Sequence, residues 1–306
     1  MLAHNVSFHL YADDTQIYLP VPNLPESKAK LQSLLNDIRL WMNMRKLKLN
    51  ESKTEVILIK GSKRYNLDEN FELNFGENIV PTSKIVRNIG VTLDPSLSFD
   101  KHLNNIVRDC NFHLRNFHTI KFFLDRQSLV ILINALITSR IDYYNSLFAG
   151  LPNKQLKKVQ LILHRAARLI FSVCPRERIT PYLIELHWLP VKARIEYKIC
   201  LLVYKILKYQ QPVYLVDLIK PYESESIMSL RAANDPFRLT EPNLVGSLTS
   251  GMRSFTYLAP RLYNQVPISI KLLTCPETFK CKLKSYFFTK SYDLDTNTIR
   301  AEYQVM

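Results

Sequence analysis

The chain has 306 residues, of which 47% are hydrophobic and 22% charged; these are globular values and exclude a mainly disordered chain. Only 6 residues are glycine, against a usual share of about 7%, which argues against a glycine-rich nucleotide fold and against an all-β chain with many tight turns. The net charge is +14, and it is unevenly placed: residues 1–100 balance at 12 basic and 12 acidic side chains, whereas residues 101–306 carry 29 against 15. Such a field favours a polyanionic partner, nucleic acid first and an acidic membrane second.

At about 150 residues per domain the length suggests roughly two domains. Five cysteines, an odd number at irregular spacing, do not form a disulfide framework, so a reducing compartment inside the cell (nucleus or cytoplasm) is expected. The opening segment, MLAHNVSFHLYADD, lacks the cationic start and clean apolar run of a secretory signal. The most apolar stretch, Leu129 to Ile137, is too short to span a bilayer and is soon followed by Arg140 and Asp142. No membrane partner is therefore expected.

Residues 5–19 read as two short strands. Val6, Phe8 and Leu10 alternate with polar residues, Ala12-Asp13-Asp14 makes a polar turn, and TQIYL resumes a β-prone run. Pro20, Pro22 and Pro25 end the hairpin. Residues 26–46 read as a helix, because Leu31, Leu34, Leu35, Ile38, Trp41 and Met42 form an apolar stripe. The Asn50-Glu51-Ser52 cluster reads as a turn and Thr54 to Ile59 as a strand. Looser strand fragments follow to about Asp94. From about 98 onward the period is helical, with helices expected near 98–119, 126–148, 153–172, 179–187 and 190–208. Prolines 152, 175, 181, 190 and 212 stand at or near the breaks. Residues 221–252 read as a polar loop or linker. A last unit holds Phe255 to Leu258, a short helix near 260–265 and a helix from about 276 to 290.

Two features carry chemistry. The first is Tyr11-Ala12-Asp13-Asp14 at the hairpin turn. Adjacent carboxylates repel unless something offsets their charge, and a divalent cation does so; phosphoryl transfer uses such carboxylates to hold Mg²⁺. The alternative is ordinary turn chemistry, since Asp side chains bond nearby backbone N–H groups. The second is residues 153–172. At 100° per residue, Lys154, Lys157, Lys158, Arg165 and Arg168 fall within an arc of about 100°, and no acid occurs between Asp142 and Glu177. Such a stripe either tracks a phosphate backbone or is the solvated face of a core helix. Cys110, His113 and His118, and the pair Cys275 and Cys281, do not match zinc-site spacing. Most aromatics sit at helical spacing among Leu and Ile, where core packing explains them. Trp188 in LHWLP reads as a packing anchor between two helices.

The ordered segments FHLYADDTQIYL, LKLNESKTEVILIK and IGVTLDPSLSFDKHL, with the amphipathic helix between the first two, resemble the palm of a reverse transcriptase from a LINE-type (non-LTR, jockey-like) retrotransposon. IDYYNSLFAGLP, LKKVQLILHRAARLI, LIELHWLPVKARIEYKICLLVYKIL and RSFTYLAPRLYNQVPISI resemble the same family's C-terminal region, so the likeness covers essentially the whole chain. It implies an α+β fold: a partial polymerase palm of β-hairpins and a helix over residues 1–97, then a helical thumb or connector over 98–220. The 221–252 linker and a small C-terminal unit over 253–306 complete it.

The resemblance further implies that Asp13 and Asp14 are paired catalytic carboxylates holding Mg²⁺, with Tyr11 leading into them. It implies that Lys53 protonates departing pyrophosphate, a solvated lysine in a hairpin turn being the alternative. Ile89, Gly90 and Val91 match the hairpin that grips the primer end, with Asn88 and Ile89 standing where the family usually has Tyr and Leu. RNA and DNA of a template-primer are the implied partners, and dNTP the implied small substrate. The family's further metal-binding aspartate, in a segment like F-x-x-A-F-D, and its dNTP-pocket loop have no counterpart among these 306 residues. The expectation is a remnant of an RNA-directed DNA polymerase, truncated just upstream of YADD and inactive alone. The alternative is a non-catalytic basic nucleic-acid-binding module or a translated fossil with no selected role.

Overall fold

A computed structural model describes residues 4–60, 71–75, 78–222, 235–243 and 251–294. The fold is mixed, with small antiparallel hairpins in one part and helices in the other, as an α+β chain requires. Contacts divide it into two compact units, Met1–Ser98 and Phe99–Met306.

In the first unit, β1 (Ser7–Tyr11) and β2 (Asp14–Tyr18) pair antiparallel with Tyr11 opposite Asp14. Helix α1 (Leu24–Met44) follows, with Pro25 in its first turn, where no N–H is needed. Two further hairpins are β3 (Glu72–Phe75) with β4 (Asn78–Pro81), and β5 (Val86–Asn88) with β6 (Val91–Leu93). Each hairpin is a separate two-stranded sheet, a form that is marginal alone. The core gathers under α1 and β3: Leu34, Phe71, Leu73, Phe75 and Val80 are buried. The Gln32 side chain fastens the two, accepting from the Asn74 N–H at 2.8 Å. The α1 stripe is only partly used, since Leu34 is fully buried while Trp41 is 51% exposed.

Residues 54–59, expected as a strand, make a single parallel bridge, Val56 to Thr82. The next backbone bond runs elsewhere, from the Lys60 N–H to the Pro95 carbonyl. Prolines 81 and 95 supply no N–H to extend a ladder.

The second unit is helical: α2 (Asp100–Ile120), α3 (Arg126–Ile133), α4 (Ser139–Asp142), α5 (Asn153–Phe171), α6 (Thr180–Glu185), α7 (Val191–Tyr209), α8 (Val213–Val216), α9 (Phe255–Asn264), α10 (Ile268–Lys271) and α11 (Pro276–Tyr292). The sequence leads to one helix over 126–148. Instead α3 passes through a π turn at Asn134–Thr138 into α4, which ends at Asp142. The reason lies in the apolar spacing. Leu129, Ile133, Ile137 and Ile141 are all buried and four residues apart, and on a regular helix of 3.6 residues per turn the last would sit about 120° away from the first. The wider i→i+5 turn takes up that drift and keeps all four on the core.

Helix α5 packs against α2, α3, α6 and α7, and α7 in turn against α9 and α11. Gln160 of α5 joins two of these helices, because its Oε1 accepts from the Val191 N–H that opens α7, at 2.8 Å. Tyr204 of α7 stacks on Phe279 of α11, ring centroids 3.7 Å apart. Trp188 is buried between α6 and α7, and its carbonyl accepts from the Tyr292 hydroxyl at 2.7 Å. Gly150 has φ +70°, and a Cβ there would lie 2.7 Å from Cγ of Arg253, so only glycine fits.

Of the expected 221–252 linker, 223–234 and 244–250 lie outside the described residues. The part between them is fastened down: Leu239 is buried, and the Asn264 amide both accepts from its N–H and donates to its carbonyl, each at 2.9 Å. Among the described residues no helix is long and apolar enough to cross a membrane.

Candidate nucleic-acid interface and acidic hairpin

The acidic pair lies at the tip of the β1–β2 hairpin. Ala12 takes φ +51°, which turns the chain, and Asp13 and Asp14 follow with both carboxylates exposed. Tyr11 beside them is 57% exposed, and so are large parts of Phe8, Leu10 and Tyr18. On the second hairpin of interest, Ile89 and Gly90 form the two-residue loop between β5 and β6, with φ +41° and +78°. Positive φ at both positions is the type I′ pattern, which favours Asn-Gly and strains a β-branched residue. The two hairpins are joined: Gln16 of β2 donates from Nε2 to Oδ1 of Asn88, at 2.5 Å. Lys53 sits in a short 3₁₀ turn, Glu51–Lys53, with its side chain exposed. No hydrogen bond or ion pair among the described residues joins it to Asp13 or Asp14.

Two adjacent carboxylates on one exposed turn are an incomplete shell for Mg²⁺, which demands near-octahedral oxygen coordination. Among the described residues no group of three or more His, Cys, Asp or Glu gathers to complete it. The donor set does not fit a two-metal phosphoryl-transfer centre.

The α5 stripe is divided by its packing. Lys154 and Lys157 are exposed and have no ion-pair or hydrogen-bond partner among the described residues. Lys158 donates to Oδ1 of Asn104 at 3.0 Å and lies 3.9 Å from Asp100, while Arg165 donates to Oδ1 of Asn111 at 2.8 Å. Arg168 turns back to the Glu177 carbonyl at 3.3 Å. The two α2–α5 contacts form a ladder. Asn104 and Asn111 are seven residues apart on α2, Lys158 and Arg165 seven apart on α5, so both pairs recur every two turns. Asparagine is neutral, so it orients each cation without offsetting its charge; of the two, Lys158 also has an acid, Asp100, within ion-pair reach.

Sequence reasoning missed the rest of this surface. Lys101, Arg108 and Arg115 also recur every seventh residue on α2, and all three are exposed on the side away from the core. The signal was present as cations opposite the buried Leu103, Ile106, Cys110 and Leu114. Beyond them Arg140 of α4 reaches Asp109, at 3.6 Å. A cationic band thus runs from α5 over α2 to α4 within the second unit.

The titratable groups beneath it are structural. Burial pushes the Cys110 thiol up to about 11, which Arg140 only partly offsets, so it is inert as a nucleophile or metal ligand at neutral pH. His164, 2.9 Å from Gln160, is held below its ordinary value, first by burial and then by Arg168. Cys275 and Cys281 are both exposed and free.

Searches of family models, of curated proteins and of solved structures each return no match to this chain.

Proposed function

We propose that these 306 residues carry the later palm elements and the thumb of a LINE-type RNA-directed DNA polymerase, and that by themselves they bind nucleic acid without extending a primer. Support for the polymerase kinship comes from the order of the YADD, ESKTEV and IGVTLD segments and from the Gln16–Asn88 bond between the acidic hairpin and the hairpin that resembles a primer grip. In this reading Asp13, Asp14, Lys53 and the Ile89-Gly90-Val91 turn are vestiges of the catalytic palm.

The observation that carries the binding reading is the cationic band itself: Lys154 and Lys157 stand exposed, Arg165 is held by a neutral asparagine, and Lys158 is bonded to Asn104 with Asp100 at the edge of ion-pair reach. Lys154, Lys157, Lys158 and Arg165 keep their charge at the surface, and each phosphate contacted releases counterions. Four such contacts give a slope of log affinity against log salt of about −2.8 for single strands and −3.6 for duplex. Sequence preference is small, because phosphate contacts position a protein without reading bases.

A labelled oligonucleotide titrated at several salt concentrations tests this. The quadruple Lys154→Gln, Lys157→Gln, Lys158→Gln, Arg165→Gln variant loses affinity and flattens the slope; unchanged affinity and slope would reduce the stripe to a solvated face. In a primer-extension assay with Mg²⁺, dNTPs and an RNA template, the 306-residue chain gives no product. Template-dependent extension abolished by Asp13→Ala would overturn the inactive reading.

A further inference from the structure

We infer that the concavity between α2 and α4 is a site for one nucleotide of a single strand, its phosphate on Arg108 and Arg140 and its base against Phe112, and that Asp109 occupies the site as an internal anion until the strand displaces it. This rests on the nucleic-acid-binding reading above and adds a defined subsite to it.

The concavity measures about 460 Å³ and is lined by Arg108, Asp109, Phe112, His113, Arg115 and Arg140. That volume is within the range of small-ligand sites, roughly 300–1,000 Å³. Its charge is unlike a structural crevice: three guanidinium groups face one carboxylate. The guanidinium is the planar donor that best matches phosphate, and it also stacks on flat rings. Arg108 and Arg140 come from different helices, and both point at the same carboxylate. Nε of Arg108 lies 3.1 Å from Oδ1 of Asp109, and Nη1 of Arg140 lies 3.6 Å from Oδ2. All three side chains remain accessible, Arg108 at 73% exposure. The pair is therefore already set around an oxyanion, and an exposed ion pair of this kind is weak enough to be exchanged.

The ring at the site is equally placed for use. Phe112 is 52% exposed on an otherwise basic helix face, which leaves half of an apolar ring in contact with water. Its edge meets the His113 ring at 5.6 Å, and His113 is stacked on the buried Phe117 at 6.2 Å, so the aromatic wall is anchored to the core. A cationic groove with an exposed ring is how proteins hold single strands, since every base has a face to stack. The π turn at Asn134–Thr138 ends two residues before Arg140 and sets the register from which Arg140 reaches α2; π turns recur at functional sites. A duplex keeps its bases stacked inside and offers Phe112 nothing.

Three variants of the full chain, with a labelled single strand and a duplex of the same sequence, test this. Phe112→Ala lowers single-strand affinity about 5- to 150-fold, the loss of one stacked base, and leaves duplex affinity unchanged. Arg108→Gln with Arg140→Gln flattens the single-strand salt slope by about 1.4. Asp109→Asn tightens single-strand binding about 1.5- to 5-fold, the release of an exposed ion pair. Far-ultraviolet circular dichroism melts confirm that each variant folds. If the parent chain binds a strand and Phe112→Ala binds it equally well, the subsite is refuted while the wider binding reading stands. Weaker binding by Asp109→Asn in a folded protein also refutes it. If the parent binds neither strand nor duplex, both readings fall.

Discussion

The most exacting test of the helical unit is the ion pair between Lys271 and Asp235. Lys271 lies in α10 with its side chain fully buried, its Nζ 2.5 Å from Oδ2 of Asp235 and 5.1 Å from the centre of the Tyr263 ring. The other Asp235 oxygen accepts from the Phe237 N–H at 3.0 Å, so the same carboxylate that neutralises the lysine also shapes the 235–243 segment. Removing one partner of a buried pair typically costs 3–5 kcal/mol, because the remaining charge is uncompensated. Asparagine at 235 still accepts one hydrogen bond, which points to the lower end, about 3 kcal/mol. In a unit of about 200 residues each kcal/mol moves the melting temperature roughly 2–4 °C, so Asp235→Asn lowers it by about 6–12 °C. Adding Lys271→Met removes the stranded charge and fills similar space, and recovers most of the loss. Urea and thermal melts followed by circular dichroism read both effects. An Asp235→Asn protein within 1 kcal/mol of the parent, or a double variant no better than the single, would refute the reasoning.

Three further outcomes are expected. Hydrogen exchange is faster at the amides of β1, β2, β5 and β6 than at those of α2, α5 and α7, because isolated hairpins bury less than packed helices; equal protection would contradict the two-unit account. Ile89→Asn stabilises the first unit by about 1 kcal/mol, since asparagine tolerates the left-handed φ that costs isoleucine roughly 1–2 kcal/mol, and a thermal melt with no gain argues against the type I′ turn. Stability of the second unit falls on acidification from pH 7 through 6.5 and below, because the unfolded chain protonates His164 more readily than the folded one does. His164→Gln flattens that dependence, and an unaltered pH profile in the variant would remove His164 as its source.

Much of the helical unit is legible in the sequence because apolar period and proline placement agree there. The spacing over 153–172 and 190–208 leads to helices within a residue of α5 and α7. The sequence misleads at 126–148. Four isoleucine and leucine residues spaced by four look like continuing helix, and nothing local says that a wider turn is needed to hold them on one face. It misleads again at 54–59, where a β-prone run leads to a strand. Whether such a run pairs depends on its neighbours, and here two prolines remove the donors. The YADD turn was legible as a hairpin. The Gln16–Asn88 bond was not, since it links residues 72 apart.

Charge position alone does not tell a phosphate-binding face from a solvated one on α5, and the partners of the charges bear on the reading proposed above. A cation stripe that merely keeps a helix soluble has no reason to select the residues opposite it, and acids would serve as well or better. On α2 the residues bonded to Lys158 and Arg165 are asparagines at matching seven-residue spacing, and Lys158 also lies 3.9 Å from Asp100. A second acid of α2, Asp109, pairs with Arg108 and Arg140 where the surface dips into a concavity beside an exposed ring. On the reading proposed above, such a face meets phosphates along its length and exchanges the Asp109 carboxylate for a phosphate at that single point.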